Sequence, residues 1–79
     1  RDAQPDRGAP RIEDGIPSAL PALLYADKVL DRLERVGRPV TPEPGSLDLG
    51  ERLLALVAEA RAAGVDPEQA LRDVVRQRL

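Results

Sequence analysis

The stretch from Leu20 to Gly37, LPALLYADKVLDRLERVG, decides the fold of this 79-residue chain. Ser18 is the predicted N-cap of a helix here, and Pro21 is tolerated in its first turn, where its missing N–H would have no helical partner. Gly37 is predicted to end the helix in the left-handed conformation. The apolar residues alternate at spacings of four and three, the pattern of one face of an amphipathic helix; they are Ala22, Ala26, Val29, Leu33 and Val36.

Two further helices are predicted after a turn. The sequence RPVTPEPG at residues 38–45 contains three prolines and a glycine, which exclude a helix there. A second amphipathic helix is predicted from about Leu47 to Ala63, with Ser46 as its N-cap. The third begins at residues 66–69, DPEQ, where an acidic N-cap is followed by proline and then by glutamine, and it is predicted to run to the C-terminus. The apolar faces of the first two helices repeat with the same spacing, and a short turn joins the two helices. They are therefore predicted to pack as an antiparallel hairpin.

The first seventeen residues are different in character. Residues 1–17 contain three prolines and two glycines among alternating charges, which predicts a linker or tail that is disordered or extended. Residues 18–79 therefore form the predicted helical segment. A linker at this end implies another domain before it, and the chain begins with Arg1 rather than methionine, so we expect a fragment of a longer protein.

Composition excludes several classes of function. Cysteine and histidine are absent, which excludes disulfides, thiolate metal sites and histidine-assisted catalysis. The net charge is −2 and no basic stripe occurs, so no nucleic-acid polymer is expected as a partner. No membrane span or signal-peptide pattern occurs, so we expect no membrane partner and a cytoplasmic location. Tyr25 is the one aromatic residue among leucine, alanine and valine, which favours an all-α fold with a small core.

The helical segment resembles MazG-type nucleoside triphosphate pyrophosphohydrolases. In the first helix the family signature is matched by Leu20-Pro21-Ala22-Leu23, Ala26, Lys28, Arg32 and Arg35-Val36-Gly37. In the later helices it is matched by Asp48-Leu49-Gly50-Glu51, the apolar run at 53–57, Ala60-Arg61, Gly64-Val65-Asp66-Pro67-Glu68 and Ala70-Leu71-Arg72. The matching pieces follow one another in the family's order.

The resemblance implies an activity and a cofactor. Enzymes of this family are all-α dimers that cleave nucleoside triphosphates to monophosphate and pyrophosphate, with Mg²⁺ held by carboxylates on adjacent helices. By resemblance, Asp48 and Glu51 are candidate metal ligands, and Lys28 and Arg32 are candidate nucleotide-binding residues. The alternatives are that the two acids are favoured by the partial positive charge at a helix start, and that the two cations belong to a solvated helix face. Tyr25 could stack on a base or cover apolar surface at a contact.

The chain departs from the family where the metal should be held. The family has a Glu-Glu-x-x-Glu cluster on one helix and a Glu-x-x-Asp pair on the next. Here residues 38–47 stand in place of the first of these helices with Glu43 as their one acid, and Asp48 and Glu51 reverse the order of the pair. We therefore assign no catalytic residue, and we expect this segment to bind no Mg²⁺ by itself.

The resulting prediction is the C-terminal, catalytically incomplete helical part of a nucleoside triphosphate pyrophosphohydrolase, serving packing or dimerisation. Its expected partners are an upstream catalytic domain of the same protein and further copies of itself through the helices. One alternative is an independent helical dimerisation or protein-interaction module without activity, and another is an active segment that completes its site with carboxylates of a second chain. The predicted core or interface residues are Leu23, Val29, Leu30, Leu33, Val36, Leu49, Leu53, Leu56 and Val57.

Overall fold

The computed structural model describes residues 15–79, and over this range the chain is all-α, as predicted. Helix α1 is Ala22–Arg35, α2 is Leu49–Ala62 and α3 is Pro67–Gln77, and each helix packs against the other two. No strand occurs within residues 15–79. The predicted tail lies mostly outside the described residues, and the antiparallel arrangement of α1 and α2 stays a prediction.

The starts of α1 and α2 differ from the sequence prediction. Pro21 and not Ser18 occupies the N-cap of α1, with backbone angles of −53° and 147° and no side-chain cap. In α2 the N-cap is Asp48 and not Ser46, because the Asp48 carboxylate accepts a hydrogen bond from the N–H of Gly50 at 3.1 Å. The Ser46 hydroxyl instead accepts from the N–H of Asp48 at 3.0 Å and shapes the preceding turn.

The predicted glycine end of α1 at Gly37 is confirmed, and α2 ends in the same way at Gly64. Gly37 and Gly64 have φ values of +76° and +72°, in the left-handed region that glycine adopts without a steric penalty. After α1, the N–H of Arg38 donates to the carbonyl of Leu33 at 2.8 Å, and after α2 the N–H of Val65 donates to the carbonyl of Ala60 at 2.8 Å. These bonds form the Schellman motif at both helix ends.

The start of α3 is also as predicted, with one difference. The Asp66 carboxylate accepts from the N–H groups of Glu68 and Gln69 at 3.0 and 3.2 Å, and Pro67 is the first helical residue. The Gln69 side chain does not return to the cap but donates to Asp73 at 2.8 Å, one turn further on. The helix ends at Gln77 and not at the C-terminus.

The apolar core of the described part is very small. Leu30 on α1 and Val57 on α2 are buried, with 6% and 1% of their surface exposed, and Pro42 and Pro67 are the other buried residues of the described part. Of the other predicted core or interface residues, Leu23, Val29 and Leu33 are half-buried, whereas Val36, Leu49, Leu53 and Leu56 are exposed. Over residues 15–79, the helices are too short and too polar for any of them to cross a membrane.

Candidate functional site

Arg61 forms the main polar contact between α1 and α2. Its guanidinium donates to the Asp27 carboxylate at 3.1 Å, to the Asp27 carbonyl at 3.4 Å and to the Glu34 carboxylate at 2.8 Å. The Asp31 carboxylate lies 3.5 Å away and is shared with Arg35, whose Nε is 3.0 Å from its second oxygen. One cation of α2 thus holds three acids on a single face of α1, and we call this group the Arg61 cluster.

The Arg61 cluster is partly shielded from water. The side chains of Arg61 and Asp27 expose 20% and 24% of their surface, whereas that of Glu34 exposes 60%. Burial by itself lowers the pKa of Arg61, but the hydrogen bonds and negative charges of Asp27 and Glu34 outweigh it and raise that pKa above its ordinary value. Arg61 is therefore charged at neutral pH, and its ion pairs join α2 to α1.

Sequence reasoning gave Arg61 no role, although a signal for it was present. Asp27, Asp31 and Glu34 recur at spacings of four and three, so they form an acidic stripe along α1. A half-buried acidic stripe needs a cation from another helix, because an unpaired charge is costly to bury. The sequence alone does not say which of the basic residues of the later helices supplies it.

The two predicted metal ligands are engaged with backbone amides. One Asp48 oxygen caps Gly50, and Glu51 accepts a hydrogen bond from the N–H of Glu43 at 3.0 Å, which ties the proline-rich turn to α2. Mg²⁺ needs about six oxygen ligands in octahedral geometry, and water must supply most of them when two carboxylates are present. Within residues 15–79, no group of three or more acidic side chains is placed to hold a metal ion. The pair as arranged does not fit a Mg²⁺ site by itself.

The predicted nucleotide-binding residues line one shallow cavity. Lys28 and Arg32 share a cavity of about 220 Å³ between α1 and the turn at residues 15–20, together with Asp31 and Arg35. Asp31 supplies a negative charge there and is already paired with Arg35. The structure therefore brings Lys28 and Arg32 together, and their binding of a nucleotide stays a prediction.

An apolar groove lies where the three helices meet. It has a volume of about 250 Å³ and is lined by Leu23 from α1, by Leu53, Leu56, Val57 and Ala60 from α2, and by Pro67, Ala70 and Leu71 from α3. Side chains on its rim are open to solvent, since Leu53, Leu56 and Leu71 expose 44%, 58% and 52% of their surface. Val74 and Val75 lie one helical turn after Leu71 on the same side of α3, and about half of their surface is exposed. We call the exposed side chains of Leu49, Leu53, Leu56, Leu71, Val74 and Val75 the apolar face.

Comparisons with known proteins give one relative of this chain. An uncharacterized 26.1 kDa protein encoded in the blaB 3′ region of Streptomyces cacaoi is 43% identical over 61 residues. The alignment covers 77% of this chain and 25% of the relative, so the chain corresponds to about a quarter of that protein's length. No protein-family profile matches the chain, and no solved structure matches it.

Proposed function

We propose that this chain is a C-terminal helical segment of a cytoplasmic MazG-type nucleoside triphosphate pyrophosphohydrolase, in which it serves packing and dimerisation and not catalysis. The apolar face is the observation that carries the proposal. A segment whose buried side chains are those of Leu30, Val57 and two prolines gains too little from its own core to be stable alone, and a second surface would bury the leucines that it leaves exposed.

The size of the apolar face supports a protein contact. Six side chains with about half of their surface exposed offer on the order of 500 Å² of apolar area, and an interface of standard size buries about 800 Å² per partner, of which somewhat more than half is non-polar. An apolar area of this size lies toward the upper end of what a typical monomer exposes, and patches of that size often form interaction sites. The six side chains are those of Leu49, Leu53, Leu56, Leu71, Val74 and Val75.

The polar residues support a structural role in place of a catalytic one. Asp48 and Glu51 accept hydrogen bonds from backbone amides, and Arg61 forms ion pairs with acids of α1. The assignment to the pyrophosphohydrolase family rests on the resemblance of the helical segment. The Streptomyces cacaoi relative is about four times as long as the aligned stretch, and a protein of that length has room for metal-binding helices elsewhere.

A pair of leucine substitutions tests the packing function. Leu53→Asp places a charge on the apolar face, and we expect it to abolish association of the chain because a carboxylate cannot be buried unpaired. Leu47→Asp is the matched control, since Leu47 is 98% exposed just before α2 and has no packing to lose. Sedimentation equilibrium gives the mass and circular dichroism the helix content. A mass that is monomeric for wild type, or unchanged by Leu53→Asp, would contradict the proposed function.

The family assignment is tested separately. The gene sequence upstream of residue 1 is expected to encode an intact Glu-Glu-x-x-Glu cluster and a Glu-x-x-Asp pair. Their absence would favour an independent helical dimerisation module, which the same apolar face would suit. Release of pyrophosphate by this chain alone, dependent on Mg²⁺ and lost in Asp48→Asn, would instead show an active segment that completes its site with a second chain.

A further inference from the structure

Two opposite charges lie along one edge of the apolar face without an ion-pair partner among residues 15–79. Arg52 and Glu59 are seven residues apart on α2, close to two helical turns, so they lie on the same side of the exposed leucines. Both are exposed, and neither makes an ion pair with any residue in the range 15–79. The Asp48 carboxylate, four residues before Arg52, accepts a hydrogen bond from the N–H of Gly50 and makes no ion pair with Arg52.

The order of these charges is unfavourable for α2 itself. The start of a helix carries a partial positive charge and its end a partial negative charge, so acids are favoured early and bases late. Arg52 lies in the first turns of α2 and Glu59 near its last turn, which is the reverse order. The intrachain electrostatics of α2 therefore do not account for this pair of residues.

A contact between two antiparallel copies of α2 accounts for both charges. When two copies of α2 are related by a two-fold axis perpendicular to the helices, the copies run in opposite directions. The same edge of each copy then lies on the same side of the contact. A pairing centred between positions 55 and 56 places Arg52 of each copy beside Glu59 of the other. It also places Leu53 of one copy near Leu56 of the second, in the alternating arrangement of a coiled-coil seam.

We infer that α2 packs antiparallel against α2 of a second copy of this chain, with Arg52 of each copy paired to Glu59 of the other. The leucine stripe at 49, 53 and 56 forms the centre of the contact, and Leu71 of α3 adjoins it across the groove. This inference rests on the proposed packing function and adds to it the partner, the orientation and the register. A parallel contact would place each Arg52 on the side away from Glu59 of the other copy.

Charge reversals test the orientation directly. Arg52→Glu leaves two acids on the edge and Glu59→Arg leaves two bases, so each variant is expected to repel itself and to weaken its dimer roughly tenfold or more. Mixed in equal amounts, the two variants are expected to form a heterodimer of wild-type affinity, because every pair across the contact is then of opposite sign. The double variant, which carries both changes, is expected to recover the wild-type dimer as well.

The controls separate repulsion from loss of the fold. Both single changes improve the match of α2 to its helix dipole, so helicity by circular dichroism is expected to be retained. Arg38→Glu changes the net charge by the same amount as Arg52→Glu on the exposed turn after α1, and its dimer affinity is expected to be that of wild type. Sedimentation velocity at low and high salt measures the masses, and the differences among variants are expected to shrink as salt rises.

Cross-linking provides a second readout that does not depend on charge. The chain contains no cysteine, so Arg52→Cys mixed with Glu59→Cys is expected to give a mixed disulfide dimer faster than either variant alone. A wild-type dimer that needs Leu53 but shows neither the heterodimer nor the mixed disulfide would overturn the antiparallel contact and leave the packing function standing. A wild-type chain that is monomeric at all concentrations would overturn both.

Discussion

Replacing Arg61 with alanine is expected to destabilise the helical segment by about 2 kcal/mol. Asp27 accounts for the largest share of this loss of stability. Its side chain is 24% exposed and lies 3.1 Å from Arg61, so without Arg61 its carboxylate would stay partly buried and have no cation beside it. The Glu34 bond is shorter, at 2.8 Å, but Glu34 is 60% exposed and contributes less because water replaces the bond. Asp31 contributes little, since it is 3.5 Å away and keeps Arg35.

This loss is large for so small a fold. In a domain of this size 1 kcal/mol shifts the melting temperature by about 4–8 °C, so Arg61→Ala is expected to lower Tm by roughly 10 °C. Thermal denaturation followed by circular dichroism at 222 nm measures it, with every variant at the same concentration because association also stabilises the fold. Arg61→Lys keeps the charge but cannot bond two carboxylates with a planar fork, and it is expected to recover less than half of the loss.

Arg35→Ala is the matched control for this prediction. Arg35 pairs with Asp31 at 3.0 Å within α1, but its side chain is 74% exposed, so its removal is expected to shift stability by about 0.5 kcal/mol or less. A double-mutant cycle of Arg61→Ala with Asp27→Ala is expected to give a coupling of about 1 kcal/mol. Equal effects of the two arginine substitutions, or no coupling in the cycle, would refute the assignment of Arg61 as the link between α1 and α2.

Three further predictions concern helix ends and the acids of α2. Gly64→Ala is expected to lower the free energy of unfolding by about 1 kcal/mol, because φ at this position is +72°. Gly50→Ala is expected to raise it by roughly 0.5 kcal/mol, because Gly50 lies inside α2 and a Cβ there makes only ordinary contacts; urea denaturation measures both changes. Asp66→Ala is expected to lower stability by about 1 kcal/mol in the same assay and Ser18→Ala to have no effect, since Asp66 caps α3 and Ser18 caps nothing; equal shifts would contradict this. Asp48→Asn is expected to keep stability within about 0.5 kcal/mol because asparagine caps equally well; a Mg²⁺-dependent rise in Tm that this variant loses would identify a metal site.

The helix ends show what the sequence can predict. The helix ends at Gly37 and Gly64 can be predicted because a helix commonly ends in a left-handed residue, which is usually glycine. The helix start at Asp66 and Pro67 can be predicted because the cap and the proline both act within one turn. The starts of α1 and α2 were less predictable because several acceptors compete there. Ser46 and Asp48 lie two residues apart, and serine and aspartate are about equally good caps, so local preference does not decide between them.

The packing of α2 could not be read from the same local rules. The alternation of Leu49, Leu53 and Leu56 has the period of a helix face, but a period does not say whether the face meets the chain's own core or another surface. Val57 and Leu54 lie on the inner side of α2. Which residues of α2 face inward depends on how the helix is rotated when Arg61 contacts α1. Contacts between distant residues therefore set it, and sequence spacing alone does not contain them.

The Arg61 cluster and the apolar face are two consequences of one rotation of α2. At 100° per residue, Arg61 and Leu53 point about 80° apart around the helix axis, so a rotation that buried Leu53 against α1 would pull Arg61 away from Asp27 and Glu34. The loss of those bonds would leave Asp27, which is 24% exposed, without its cation, and this opposes the rotation even though it would bury more leucine surface. The charges thereby hold the leucines outward. Arg61→Ala is accordingly expected to disturb association as well as stability, and a variant that lost 10 °C of Tm yet kept a wild-type dimer would show that the two are independent.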